Sequence, residues 1–251
     1  MRRFLAFWVL FFLVSVSLVW ACPQAESVEK SLKRLFSRVR DLRVEKIKPS
    51  PAPGFCEAVL SLPSGEKKIV YVDESGRFCF VGRLYDLQRA LNLTELSLAE
   101  LNRLSPEELK ELDKLVAFEV GKGKKTLYLI TDPQCPFCRR LEKTLDGLIR
   151  DGLVRVKVIL YPLVTLHPTA KKECISLICD RRGWKELLSG YSSDHECEEG
   201  RRKVEEARRL LPRLGIRGTP AIVLPDGRLL RGAKSREQLL ELLGLKTQSG
   251  T

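Results

Sequence analysis

Cys135-Pro136-Phe137-Cys138 sets two cysteines between an apolar run and an amphipathic stretch. Leu127, Tyr128, Leu129, Ile130 and Thr131 precede them, and Leu141, Leu145, Leu148 and Ile149 follow at helical spacing. These flanks predict a buried strand leading into a helix, with Cys135 at the helix N-terminus. Unpaired N–H groups and the positive end of the helix dipole favour a thiolate there, and Arg139 and Arg140 add positive charge. A thiolate is the attacking species in disulfide exchange, so the pattern predicts a redox couple.

The chain has 251 residues, enough for one large or two small domains. Arg2 and Arg3 precede an apolar run from Phe4 to Trp20, and Val19-Trp20-Ala21 suits cleavage by a signal peptidase. Residues 1–21 therefore read as an export signal. The run is short for a relaxed transmembrane helix of about 20 residues, which disfavours an uncleaved anchor. Val19-Trp20-Ala21-Cys22 also half-matches a lipoprotein signal, but Trp20 is bulky for that role, so lipidation of Cys22 is the weaker reading.

Export leads to an oxidising compartment, where eight cysteines suggest disulfides plus a reactive pair. Setting aside Cys22, Cys135 and Cys138 leaves Cys56, Cys79, Cys174, Cys179 and Cys197, so at least one is free or differently paired. The net charge of +12 is interleaved with glutamates, as in Arg201-Arg202-Lys203-Val204-Glu205-Glu206, which is the pattern of a solvated face and not of a nucleic-acid site. Asn occurs only at 92 and 102 and Met only at 1, a bias of heat-adapted proteins.

Residues 22–92 read as a small α+β domain. A helix from Ser27 to about Arg40 shows Val28, Leu32, Leu35 and Phe36 on one face. Strands follow at Phe55 to Leu62, Lys68 to Asp73 and Arg77 to Val81, joined by Pro63-Ser64-Gly65 and Glu74-Ser75-Gly76 turns. Such a sheet leaves a face and an edge in need of cover, which suggests pairing with a second copy. Residues 93–115 read as a stiff helical linker with capping boxes at Ser97-Leu98-Ala99-Glu100 and Ser105-Pro106-Glu107-Glu108.

Residues 116–251 read as a thioredoxin-like α/β domain. Strand 127–131, helix 136–150 and strand 154–160 come first, then helical stretches between 168 and 214. A hairpin of strands 221–224 and 228–231 precedes a last helix opened by Ser235-Arg236-Glu237-Gln238, and Lys246 to Thr251 is a tail. Gly218-Thr219-Pro220 stands just before the hairpin. Pro220 is the candidate cis-proline, a geometry that would present the Thr219 backbone to a substrate strand.

The segments Thr131-Asp132-Pro133-Gln134-Cys135-Pro136-Phe137-Cys138-Arg139-Arg140-Leu141 and Gly218-Thr219-Pro220-Ala221-Ile222-Val223-Leu224-Pro225-Asp226-Gly227 resemble those of the bacterial periplasmic DsbC/DsbG disulfide isomerases. Tyr85-Asp86-Leu87 after Gly82 also matches the end of that family's small domain. The resemblance spans nearly the whole mature chain. It implies a cystatin-like N-terminal dimerisation domain, a linker helix and a thioredoxin fold with a helical insertion, assembled as a V-shaped homodimer in the periplasm.

It also implies roles. Cys135 is the nucleophile and Cys138 the resolving thiol, while Pro136, Phe137, Thr219 and Pro220 meet the substrate. Cys179 and Cys197 form a structural disulfide in the insertion, although Cys174 could instead partner Cys197. The partners are misfolded exported proteins with wrong disulfides and a DsbD-type membrane reductase, with no nucleic acid and no cofactor. Pro136-Phe137 departs from the Gly-Tyr of the isomerase proper and lies nearer the Pro-Tyr of the DsbG branch. The expected function is therefore thiol:disulfide isomerisation with holdase capacity. The alternatives are a DsbG-like reductase protecting single cysteines, or a non-catalytic chaperone cleft.

Cys56 and Cys79 are extra to the family pattern. In a simple meander they lie two strand spacings of ~4.8 Å apart, beyond the roughly 7 Å Cα limit for a disulfide, so no bridge between them is expected. His167 and His195 read as solvent or structural residues. Zinc is not expected, because the spacings of Cys174, Cys179, His195 and Cys197 are irregular and there is no second C-x-x-C. Asp132 reads either as a modulator of proton transfer near Cys138 or as an exposed turn residue.

Overall fold

The computed structural model describes residues 22–39, 41–63 and 66–245. The expected signal at 1–21, part of the Pro63-Ser64-Gly65 turn and the tail from Lys246 lie outside them. Among the described residues no helix is long and apolar enough to cross a membrane. The described residues divide into two compact units, one up to Gly82 and one from Arg83.

In the first unit, helix α1 (Ala25–Leu35) is followed by strands β1 (Arg43–Pro49), β2 (Phe55–Ser61), β3 (Lys67–Asp73) and β4 (Cys79–Phe80), in spatial order β1-β2-β3-β4 and all antiparallel. Val28 and Leu32 of α1 pack on Leu42, Val44, Ala58, Leu60, Val70 and Val72. Leu35, expected on that face, is exposed because the helix ends there, and Phe36 packs instead. Strand β1 was not evident from the sequence. A register irregularity between Val44 and Lys46 breaks its two-residue alternation.

Cys56 and Cys79 sit in register on opposite sides of Val72, one on β2 and one on β4. They are not joined. Cys56 is bonded to Cys22, and Cys79 is free and exposed. The Cys22 pairing corrects the lipidation reading, since a sulfur held in a disulfide has no thiol left for a lipid.

The second unit opens with β5 (Tyr85–Asp86), β6 (Leu91–Asn92), α2 (Leu93–Leu101) and α3 (Pro106–Leu115). The division between units falls ten residues before the expected boundary at 92/93, because Arg89 pairs with Glu241 and the Ala90 carbonyl accepts from Gln238. Helices α2 and α3, in the segment expected as a stiff helical linker, pack into this unit. Ala99 joins one of its apolar clusters, and Leu104, Leu112 and Leu115 join another. Ser97 is not a cap either. The Asn92 side chain accepts from Glu95 N and starts α2 earlier, so the helix runs through Ser97, whereas Ser105 caps α3 with the reciprocal Glu108 contact.

The remaining elements are β7 (Phe118–Val120), β8 (Lys125–Thr131), α4 (Pro136–Arg150), β9 (Val154–Leu160), α5 (Ala170–Cys179), α6 (Trp184–Ser189), α7 (Glu198–Leu210), β10 (Ala221–Val223), β11 (Leu229–Arg231) and α8 (Arg236–Leu242). The five-stranded sheet has the order β11-β10-β8-β9-β7. Only β8 and β9 are parallel, as their connection through α4 requires. Leu141, Leu145 and Leu148 of α4 pack with Leu127 and Leu129 of β8 and Val154, Val156 and Val158 of β9. This packing fixes the N-terminus of α4 at the end of the central strand.

Candidate active site

Cys135 is the N-cap of α4, and its backbone N–H donates to the Asp132 carbonyl at 3.1 Å. Pro136 takes the first helical position, where a missing N–H costs nothing. The two sulfurs are not equivalent. Cys138 is fully buried on the core face of α4, whereas Cys135 retains 5% exposure. Phe137 between them projects outward with the Arg140 guanidinium 5.7 Å from its ring centre.

The Thr219–Pro220 peptide is cis, and the Cys135 thiol points at the Thr219 carbonyl at 3.8 Å. Thr219 and Pro220 thus stand beside the outer sulfur, at the start of β10. The Thr219 hydroxyl is buried, and it lies close enough to the Cys138 sulfur to favour its anion.

Burial pushes the Cys138 thiol up to about 12. Thr131, Thr219 and the Asp132 N–H, which lies 3.5 Å from the sulfur, work against that, and the nearby Cys135 adds to it. A thiol held protonated in this way needs a proton acceptor before it can attack.

Asp132 is fully buried, which overturns the exposed-turn reading. Its Oδ1 accepts from Gln134 N at 2.8 Å, and its Oδ2 accepts from Leu163 N at 2.8 Å and meets His167 Nδ1 at 2.9 Å. His167, far from the cysteine pair in sequence, is therefore brought into the site through Asp132. Cys174, buried on α5, neighbours Asp132, Glu173 and Cys138, and desolvation foremost holds its thiol well above the usual range.

Glu142 was missed from sequence. It lies on the apolar stripe of α4, one turn after Cys138, and its carboxylate accepts from the Thr131 hydroxyl at 2.6 Å. A glutamate at i+4 from a buried cysteine, amid Leu141, Leu145 and Leu148, was the available signal.

Away from this cluster, Cys179 and Cys197 are joined by a disulfide that ties α5 to the start of α7. The helices approach closely there, since a Cβ on Gly200 would lie 2.6 Å from Cys179 Sγ. His195 pairs with Asp180 near this bridge and takes no part in the cysteine site. Among the described residues no cluster of three or more His, Cys, Asp or Glu side chains could hold a metal ion.

Comparison with known proteins adds two domain matches. Residues 20–95 match the disulfide bond isomerase protein N-terminal domain, and residues 118–246 match a thioredoxin-like domain. The chain is 26% identical over 242 residues to the thiol:disulfide interchange protein DsbC of Dickeya dadantii, covering 94% of this chain and 93% of that protein. It is 23% identical to DsbC of Escherichia coli K12, covering 94% of each. A disulfide interchange protein from Neisseria gonorrhoeae, known from a crystal structure, is 30% identical over 50% of this chain and 89% of its own, with a TM-score of 0.44.

Proposed function

The chain belongs to the thioredoxin-like family as a thiol:disulfide interchange enzyme of the DsbC type, and we propose that Cys135 and Cys138 carry that chemistry on exported proteins with wrong disulfides. One observation carries this reading: the paired sulfurs differ in access, one at the mouth beside the Thr219 carbonyl and one sealed beneath it. Cys135 attacks a substrate disulfide and forms a mixed disulfide. If a second substrate cysteine attacks within that complex, the substrate is isomerised and leaves. Otherwise Cys138 attacks Cys135, the Cys135–Cys138 bond forms, and the substrate leaves reduced. Thr219 and Pro220 meet the substrate beside the sulfur, and Pro136 with exposed Phe137 offers a second contact at the start of α4. Only the dithiol opens a wrong bridge, so an external dithiol such as a DsbD-type membrane reductase must restore it.

The protein works after export, in the periplasm, as a homodimer joined through its first unit. Disulfide-mispaired protein is the substrate class. The Pro136-Phe137 dipeptide favours a second reading, a reductase of the DsbG kind acting on single oxidised cysteines.

Rescue of a scrambled multi-disulfide protein tests the assignment. Reduced protein should restore activity to the scrambled client, Cys135→Ser should abolish rescue, and Cys138→Ser should accumulate mixed disulfides. Full rescue by Cys135→Ser would leave a non-catalytic chaperone cleft. Failure of reduced wild type to rescue, with reduction of single oxidised cysteines retained, would leave the reductase.

A further inference from the structure

The turn that delivers Cys135 has no backbone donor to spare. Pro133 and Pro136 carry no N–H, Gln134 N donates to Asp132 Oδ1 at 2.8 Å, and Cys135 N donates to the Asp132 carbonyl at 3.1 Å. A client strand meeting these four residues finds no backbone N–H to accept from. Its own N–H groups need acceptors there instead.

The Gln134 side chain supplies one. Its Nε2 donates both to Thr169 Oγ1, at the N-cap of α5, and to Glu173 Oε1, one turn further on. The Glu173 carboxylate only accepts, so the amide nitrogen is the end that faces α5 and the oxygen is the end left over. Gln134 is partly exposed, and its Oε1 accepts from no described residue. Closing the turn does not call for this arrangement, because the Gln134 and Cys135 N–H groups already close it on Asp132. The result is an acceptor fixed in orientation before any client arrives, on the residue next to the nucleophile, with Cα atoms about 3.8 Å apart.

We propose that Gln134 Oε1 accepts a backbone N–H from the client segment that carries the attacked cysteine, making Gln134 a specificity-determining residue that favours polypeptide disulfides over small ones. The inference deepens the proposed function and rests on Cys135 being the nucleophile. The Cys135 thiolate attacks one sulfur of the client disulfide. The Cys135–client bond forms, the client S–S bond breaks, and the departing sulfur leaves with the electron pair as a thiolate. The N–H on Gln134 belongs to the chain that stays attached. The Thr219 carbonyl, 3.8 Å from the Cys135 sulfur, is the second acceptor, and it is released from the S–H once Cys135 is a thiolate.

The test compares two disulfides on the full mature protein in its reduced form. One is a single-disulfide peptide, and the other is hydroxyethyl disulfide, which has no backbone N–H and reports on the sulfur alone. The rate of acid-trapped adduct formation is measured for each, and the peptide-to-small ratio is the readout. Gln134→Met removes the acceptor together with the anchors to α5. Gln134→Lys keeps donors for Thr169 and Glu173 and removes only the acceptor. Both should lower the ratio about 10-fold, the worth of one hydrogen bond. A residue that merely braces the turn would slow both disulfides together, and an unchanged ratio in Gln134→Lys would overturn the contact. Peptides N-methylated in turn at the cysteine and at each neighbour locate the bond. In wild type one of them should lose about the same factor, with no further loss in Gln134→Lys, whereas fully multiplied losses at every position would overturn the contact. Failure of wild type to form an adduct with either disulfide would instead overturn the assignment of Cys135 itself.

Discussion

Glu142 holds a proton across a pH range in which an exposed glutamate has lost it, and stability must register this. Burial lifts its carboxyl from 4.5 to about 7. Between those values the folded chain binds a proton that the unfolded chain has released, so this group's contribution to stability falls as pH rises through the window and stays low above it. Glu142→Gln removes the titration. The variant should match wild type near pH 4 and exceed it by about 3 kcal/mol at pH 8, since each pK unit is about 1.4 kcal/mol. Urea unfolding at both pH values checks this, and an equal difference at both would refute it. The position of Cys135 at the start of α4 was legible from sequence because the apolar runs on either side are local signals, and the cis bond before Pro220 was expected from the family resemblance. Glu142 was hidden among Arg139, Arg140 and Lys143, which make that stretch of α4 look solvated. The Asp132–His167 contact spans 35 residues, and only the tertiary fold creates it.

Elements were legible wherever periodicity was clean. Helix α4 and strand β9 lie where Leu spacing and a Val/Ile run placed them, while β1 and the short β7 carry too few apolar residues to stand out. Caps discriminate more finely. Ser105→Ala should cost about 1 kcal/mol, because it removes the acceptor for Glu108 N at the start of α3, whereas Ser97→Ala, inside α2, should change stability by less than about half of that. Chemical denaturation of the two variants distinguishes them, and equal losses would contradict the capping assignment.

The Cys22–Cys56 bridge tethers the segment entering α1 to the second strand of its sheet across 34 residues, and closing a loop of that size is worth about 4 kcal/mol in the chain-entropy model. It was not foreseen, because Cys22 was set aside as a terminal residue. Unreduced peptide mapping should recover a Cys22–Cys56 linked peptide. Replacing both cysteines by serine should destabilise the first unit by about that amount. Recovery of Cys22 as a free thiol or lipid adduct would remove the bridge.

For the whole molecule, charge and apolar surface pull in opposite directions. A net charge of +12 keeps copies apart, and the many surface ion pairs, such as Arg202–Glu206 and Arg236–Asp151, each add little at ordinary temperature. Yet the first unit ends in the two-residue edge strand β4, flanked by Phe78 at 61% and Val81 at 64% exposure, with Phe55 and Phe80 partly exposed beside them. An open edge lined with aromatics invites pairing, and association through it would cover apolar area that charge repulsion alone leaves wet. Light scattering of the full mature chain at micromolar concentration should give twice the protomer mass. Phe80 stacks on Tyr71 and lies edge-on to Phe55, so Phe80→Asp places a charge in the middle of this patch and should bring the mass down to one protomer. Retention of the double mass in that variant would put the interface elsewhere, and a fall to one protomer on adding reductant to wild type would assign the association to a disulfide through exposed Cys79 instead of to the apolar edge.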